Sequence, residues 1–174
     1  LDALDRVDRD VLLLDLLDLH ALLGAGDLLG DLDLDDRALE LAALHALAFT
    51  VPRPWGAAEF TALLASPHVI LVAEPDGFAL GRVIADEAEL LTIAVHPTAR
   101  RQGVGRRLLA ELIDQTASRG AGRMFLEVSA ENDSAIALYL RAGFTQVALR
   151  KSYFTSGDRR IDALVLQRIL GAAN

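Results

Sequence analysis

The stretch between residues 89 and 128 constrains the fold more than any other. Residues 89–95 read as a strand, and from Gly103 to Arg119 apolar residues recur at helical spacing in Val104, Leu108, Leu109, Leu112 and Ile113. Gly120 ends that helix, as glycine past a helix C-terminus commonly does, and residues 123–128 read as a strand again. Strand, helix and strand make a βαβ unit, whose two strands run parallel because a crossover helix joins them.

The flanking elements follow from the same periodicities. A short strand from about Leu28 through Leu34 is expected to precede a helix capped by Asp35 or Asp36 and carrying Leu39, Leu41, Ala42, Leu44 and Leu47. A short helix near 57–65 stops at Ser66-Pro67, since the residue before proline avoids helical angles. Residues 69–73 and 78–84 flank the turn Pro75-Asp76-Gly77, and the Asp86-Glu87 turn leads into the strand at 89–95. Beyond the βαβ unit, a helix near 133–142 stops at Gly143, and two strands, about 144–153 and 161–169, follow. Strands and helices neither alternate strictly nor segregate, so the fold class is α/β with a mixed α+β sheet.

The 174 residues suit one domain that can bury a core without staples, placed at 28–170 after a leader at 1–27. The leader is a low-complexity Leu/Asp segment, open between a partner-binding helix and an extraneous stretch. Its Gly24-Ala25-Gly26 and Gly30 are wrongly spaced for a dinucleotide loop. The absence of cysteine excludes disulfides, thiolate nucleophiles and cysteine-bound metals. With no basic leader region and no apolar run of roughly 18 to 20 residues, a cytoplasmic protein without a membrane partner is expected.

The formal charge of -8 is unevenly placed. Residues 1–49 hold eleven Asp and one Glu against three Arg, leaving the remainder close to neutral. Basic side chains gather at Arg100, Arg101, Arg106 and Arg107, which suits a small anionic ligand and not a nucleic acid. Gly103 and Gly105 open the helix there, where unpaired N–H groups and the helix dipole supply positive potential. A P-loop is ruled out because Arg106-Arg107 stands where Lys-Ser/Thr would be, and a Rossmann fingerprint because Leu108 replaces its third glycine. What remains is an anion site at a helix start, which by itself names no ligand.

Three segments together carry a resemblance. Leu91-Thr92-Ile93-Ala94-Val95-His96-Pro97 runs into Arg100–Gly105; Leu126-Glu127-Val128-Ser129-Ala130-Glu131-Asn132 follows; then comes Ala135-Ile136-Ala137-Leu138-Tyr139-Leu140-Arg141-Ala142-Gly143-Phe144. These resemble the GNAT superfamily of acetyl-CoA-dependent N-acetyltransferases, and within it the ribosomal-protein-alanine acetyltransferases of the RimI type, from about Leu44 to the last strand. The resemblance implies a central sheet that splays between the strand ending at Val95 and the one containing Glu127, with the pantetheine arm of acetyl-CoA in the gap. It implies cofactor contacts from the backbone of Ile93, Ala94 and Val95, from Arg101, Gln102, Gly103, Val104, Gly105 and Arg106 around the pyrophosphate, and from Asn132.

Thioester aminolysis needs a base for the amine, N–H donors for the oxyanion and an acid for the leaving thiolate. The resemblance assigns Glu127 as the base and Tyr139 as the acid, with the backbone N–H near Val95 as oxyanion donor. An α-amine of pKa about 8 is roughly 10% neutral at pH 7, against about 0.04% for an ordinary lysine, so one carboxylate is sufficient for a protein N-terminus. The implied acceptor is a ribosomal protein's N-terminal alanine. The alternatives are a small-molecule amine or a non-catalytic acyl-CoA-binding module.

Other residues carry less. His20, His45, His68 and His96 show neither metal-ligand spacing nor a triad arrangement, so structural roles and no metal are expected. Trp55 after Pro54 reads equally as a groove residue or a buried anchor. Ser129 stands where the RimI pattern has arginine and Phe154 where it has a second tyrosine, which bears on acceptor choice and leaves cofactor binding untouched.

Overall fold

The computed structural model describes residues 33–171. The leader at 1–27 lies outside the described residues, as does most of the strand expected from Leu28. Two helices come first, α1 (Leu34–Ala48) and α2 (Ala57–Leu64), then strands β1 (Val69–Glu74), β2 (Gly77–Ile84) and β3 (Glu87–Val95). A short 3-10 turn (Pro97–Ala99) leads to α3 (Val104–Ser118), β4 (Arg123–Ser129), α4 (Asp133–Arg141), β5 (Thr145–Ser156) and β6 (Arg159–Ile169).

The start of α1 corrects the sequence reading. Leu34 is already helical, and the cap is Asp33, whose carboxylate accepts from the Leu34 N–H at 2.6 Å. Asp35 and Asp36 lie in the first turn, where negative charge complements the helix dipole. Acids at 33, 35 and 36 are all competent caps locally; the observed phase is the one that turns Ala38, Leu41, Leu44 and His45 into the core.

One six-stranded sheet in the order β1-β2-β3-β4-β6-β5 organises the rest. β3 and β4 are its parallel pair, joined by α3 as the βαβ reading requires, and the remaining neighbours are antiparallel. Leu108, Leu109 and Leu112 of α3 share a core with Tyr139 and with Leu126 and Val128 of β4. The opposite face carries a second core, in which Leu41 and Leu44 of α1 and Phe60 of α2 meet Phe78, Leu80 and Ala94. The sheet is thus covered on both faces.

Close approach of α3 to β2 depends on two glycines. A Cβ at Gly77 would lie 2.8 Å from the Ala94 carbonyl oxygen and 2.9 Å from Leu108 Cδ1, and one at Gly81 would lie 2.9 Å from Leu112 Cδ1. Because the Ala94 oxygen belongs to backbone that cannot swing aside, Gly77→Ala should lower stability by about 1–3 kcal/mol in urea unfolding. Unchanged stability would show that β3 yields at this point.

Candidate active site

The parallel pairing of β3 and β4 is brief. Glu87, Ala88 and Glu89 pair with Arg123, Met124 and Phe125, and nothing beyond them pairs across these two strands. On its other side β3 stays bonded to β2 as far as Val95, but the register slips so that Leu80 faces Thr92 while Gly81 faces Leu90. Leu91 is therefore an extra residue, a bulge placed where β3 leaves β4. An extra residue bends the strand that holds it, which accounts for the divergence. Past the last pair with β4, alternate backbone N–H and C=O groups of residues 90–95 face the gap with no strand among the described residues to pair them. Ile93, Ala94 and Val95 are therefore brought to the gap, where the GNAT resemblance places them.

The open end of that gap meets the head of α3. Gly103, the N-cap residue, has φ +82°, Arg101 has φ +63°, and no side chain caps the helix. The loop therefore turns its own backbone toward the helix N-terminus and leaves the first N–H groups available. The arginines separate into two sets. Arg100 donates to the Ala48 carbonyl at 3.2 Å, and Arg107 is committed to Glu74 at 2.7 Å and to the Gln102 carbonyl at 3.3 Å. Arg101 and Arg106 are exposed with no ion-pair partner among the described residues, and Gln102 donates back to the Thr98 carbonyl at 3.0 Å. Two cations unpaired among the described residues, a left-handed loop and a helix start without a side-chain cap fit a pyrophosphate.

Glu127 projects from β4 on one face of the sheet, and Tyr139 packs in the core on the other. Leu126 and Val128 point into the α3 core, so strand alternation turns Glu127 to the other face. There its Oε1 pairs with Arg150 Nε at 2.9 Å, and it accepts a hydrogen bond from the Tyr153 hydroxyl. That hydrogen bond, with burial, holds the Tyr153 phenol above its ordinary pKa. The Arg150 guanidinium also lies 5.2 Å from the centre of the Tyr153 ring.

Tyr139 projects from α4 into the α3 core, its ring 6.0 Å from that of Phe144. Burial pushes its phenol far above the usual range, so it stays protonated. Its hydroxyl forms no hydrogen bond with any described residue, yet no occluded side-chain polar atom among them is left unpaired. The hydroxyl therefore reaches accessible space with its proton uncommitted. Asn132 is occupied otherwise: its Oδ1 caps α4, accepting from Ala135 N–H at 3.1 Å, which leaves only its amide NH₂ for a ligand.

The first helix reaches the same gap through His45, which is fully buried. Its Nδ1 accepts from the Trp55 backbone N–H at 3.1 Å, so the proton sits on Nε2, which donates to Thr92 Oγ1 at 3.0 Å. Phe49 and Trp55 stack on the imidazole with ring centres 4.1 and 5.2 Å away. Burial lowers the histidine pKa to about 4, keeping it neutral. Trp55 is the anchor of this cluster, packed against the α1–α2 core.

Arg150 and Tyr153 as partners of Glu127, and the Leu91 bulge, are site features that the structure adds to the sequence. The adjacent pair Leu90-Leu91, which breaks the alternation of β3, is the one local sign of the bulge. Nothing local marks Arg150 as the partner of a residue so distant in the chain. Ser129 is buried and accepts from the Glu131 N–H at 3.2 Å, holding the turn after β4. Among the described residues no group of three or more His, Cys, Asp or Glu could hold a metal ion, and no helix is long and apolar enough to cross a membrane.

Known proteins are similar to this chain in sequence and fold. The chain is 46% identical over 89 residues to the [ribosomal protein bS18]-alanine N-acetyltransferase of Escherichia coli K12, a match that takes in 51% of this chain and 60% of that protein's length. It is 40% identical over 143 residues to the N-alpha-acetyltransferase RimI of Mycobacterium tuberculosis, covering 77% of this chain and 87% of that one. The crystal structure of the ribosomal-protein-S18-alanine N-acetyltransferase from Escherichia coli superposes with a TM-score of 0.69 at 33% identity, over 78% of this chain and 90% of that one. Residues 38–144, which run from α1 through the splayed strands to the end of α4, match the model of the acetyltransferase (GNAT) family, and to that family the chain belongs.

Proposed function

We propose that this protein transfers the acetyl group of acetyl-CoA to the N-terminal α-amine of a protein in the cytoplasm, with the N-terminal alanine of a ribosomal protein as acceptor. The observation that carries the reading is the parting of β3 and β4 with an acidic and a phenolic side chain on opposite sides of β4. A ligand arm laid along Ile93, Ala94 and Val95 pairs with the β3 edge that β4 leaves unpaired. Arg101, Arg106 and the N–H groups from Gly103 to Gly105 hold its pyrophosphate, and the Asn132 amide lies at the mouth of α4.

Acetyl-CoA supplies an activated acyl group; the residues of this chain handle the protons. As the amine nitrogen bonds to the acetyl carbon and the carbon–sulfur bond breaks, the amine releases one proton and the departing sulfur takes one up. Glu127 receives the first, directly or through water, from the face where Arg150 and Tyr153 orient its carboxylate. Tyr139 donates the second from the other side, its phenol kept protonated by burial. A backbone N–H near Val95 stabilises the carbonyl oxygen during transfer.

The experiment is acetyl-CoA consumption with a panel of N-terminal alanine peptides, internal lysine peptides and small amines, scored by mass spectrometry. Acetylation of the alanine α-amine is expected; modification restricted to small amines would replace the acceptor while keeping the chemistry. The loop makes a separate prediction. Gly103→Val forces an L-residue into φ +82°, so CoA binding should weaken by roughly tenfold in calorimetry, a loss of about 1.4 kcal/mol. Undiminished affinity would show that the pyrophosphate lies elsewhere.

A further inference from the structure

Glu127 is gripped by two side chains that a regular strand could not present together. Arg150 and Tyr153 are three positions apart on β5, and an uninterrupted strand would direct them to opposite faces of the sheet. β5 is interrupted between them: Arg150 faces Ala163 and Phe154 faces Ile161, so Lys151, Ser152 and Tyr153 together stand opposite Asp162 alone. Ser152 sits at φ +55°, left-handed backbone that a serine adopts only when something holds it there. What holds it is Asp162, whose Oδ1 accepts from the Ser152 N–H at 2.7 Å. Asp162 also faces the other way, its carbonyl accepting from Ala130 N–H at 2.9 Å just past the end of β4. It thereby locks the bulge of β5 to the strand that carries Glu127.

We propose that Asp162 is a positioning residue: by accepting the Ser152 amide it folds the bulge that turns both Arg150 and Tyr153 onto Glu127 and so sets the acceptor side of the site. The inference rests on the acetyl-transfer reading of Glu127. It assigns Asp162 no contact with acetyl-CoA and no part in moving a proton. What the residue must supply is an acceptor oxygen in one place, not a negative charge. Asparagine presents such an oxygen and alanine does not. Substitution at Ser152 by glycine should tolerate loss of the acceptor, because glycine holds a positive φ without help.

The test compares Asp162→Asn, Asp162→Ala and the double variant Asp162→Ala with Ser152→Gly. Asp162→Ala should lower kcat/KM for an alanine-terminated peptide on the order of tenfold to hundredfold, as expected for a reacting group displaced by a fraction of an ångström, with the KM for acetyl-CoA unchanged. Asp162→Asn should stay within about threefold of the parent, and the double variant should recover part of the loss. A second readout needs no turnover. The chain has only two tyrosines, so ultraviolet difference absorbance can follow Tyr153, whose titration should move down toward the ordinary phenol range in Asp162→Ala and remain in place in Asp162→Asn. An unmoved Tyr153 titration in Asp162→Ala, or an asparagine variant as impaired as alanine, overturns the proposal. If the parent acetylates no amine while the tyrosine contrast appears, the positioning geometry stands and the acetyl-transfer reading alone is lost.

Discussion

Glu127→Gln should reduce kcat by a factor on the order of 10² to 10⁴, the usual contribution of a positioned general base, while the KM for acetyl-CoA stays within about twofold. Glutamine preserves the length and its amide oxygen can still accept from Arg150 and Tyr153, so the substitution keeps the shape of the site while removing the basic carboxylate and the charge it sets against Arg150. Tyr139→Phe makes the complementary change on the opposite side of β4. Phenylalanine keeps the ring packed against Phe144 in the α3 core, and only the uncommitted hydroxyl is lost. A fall of similar order in kcat is expected, again without loss of CoA affinity. Initial rates of CoA release for both variants at several pH values check the pair. Wild-type rates in Glu127→Gln would place the base outside β4, and wild-type rates in Tyr139→Phe would mean that sulfur leaves without help from α4.

A second large effect is expected in acid. His45 is neutral in the folded protein, with a pKa near 4, whereas an unfolded chain binds its proton at an ordinary value near 6.5. Between these values the unfolded state holds the extra proton, so stability falls as pH drops from about 6.5 toward 4 and this contribution is constant above that window. The gap between these two values corresponds to ~3 kcal/mol, a large share of a domain's stability. Urea unfolding at a series of pH values should show the slope, and His45→Phe should flatten it. That variant keeps the aromatic stacking but orphans the Trp55 N–H and Thr92 Oγ1, so it should also be weaker by about 1–3 kcal/mol at neutral pH. A His45→Phe protein with the parent's acid slope would assign that slope to other groups. Because Thr92 directly precedes Ile93, any loosening of His45 is transmitted to the strand proposed to hold the pantetheine arm.

The helices and strands were legible because their signals are local. Val104, Leu108, Leu109 and Leu112 announce α3 within two turns, and Gly120 and Gly143 stop their helices with φ values that only glycine adopts readily. The anion site was legible for the same reason, being one continuous loop from Arg100 to Gly105. The phase of α1 was not, since three neighbouring aspartates offer equivalent caps and the core behind them made the choice. Nor could the chain announce which arginine of the loop would be spent on Glu74, a residue of β1 brought close only by the packing of α3.

By itself, then, the sequence determined the order of elements, the βαβ unit and the family resemblance that brings Glu127 and Tyr139 forward, because periodicity, turn chemistry and contiguous motifs act over a few residues. The tertiary structure alone decided that β3 turns away from β4 at Leu91, that among the described residues Arg101 and Arg106 have no ion-pair partner while Arg100 and Arg107 are engaged, and that Arg150 and Tyr153 converge on Glu127 across a bulge held by Asp162. These outcomes depend on strand register, and register is set by pairing between distant segments and by the cores packed on both faces of the sheet.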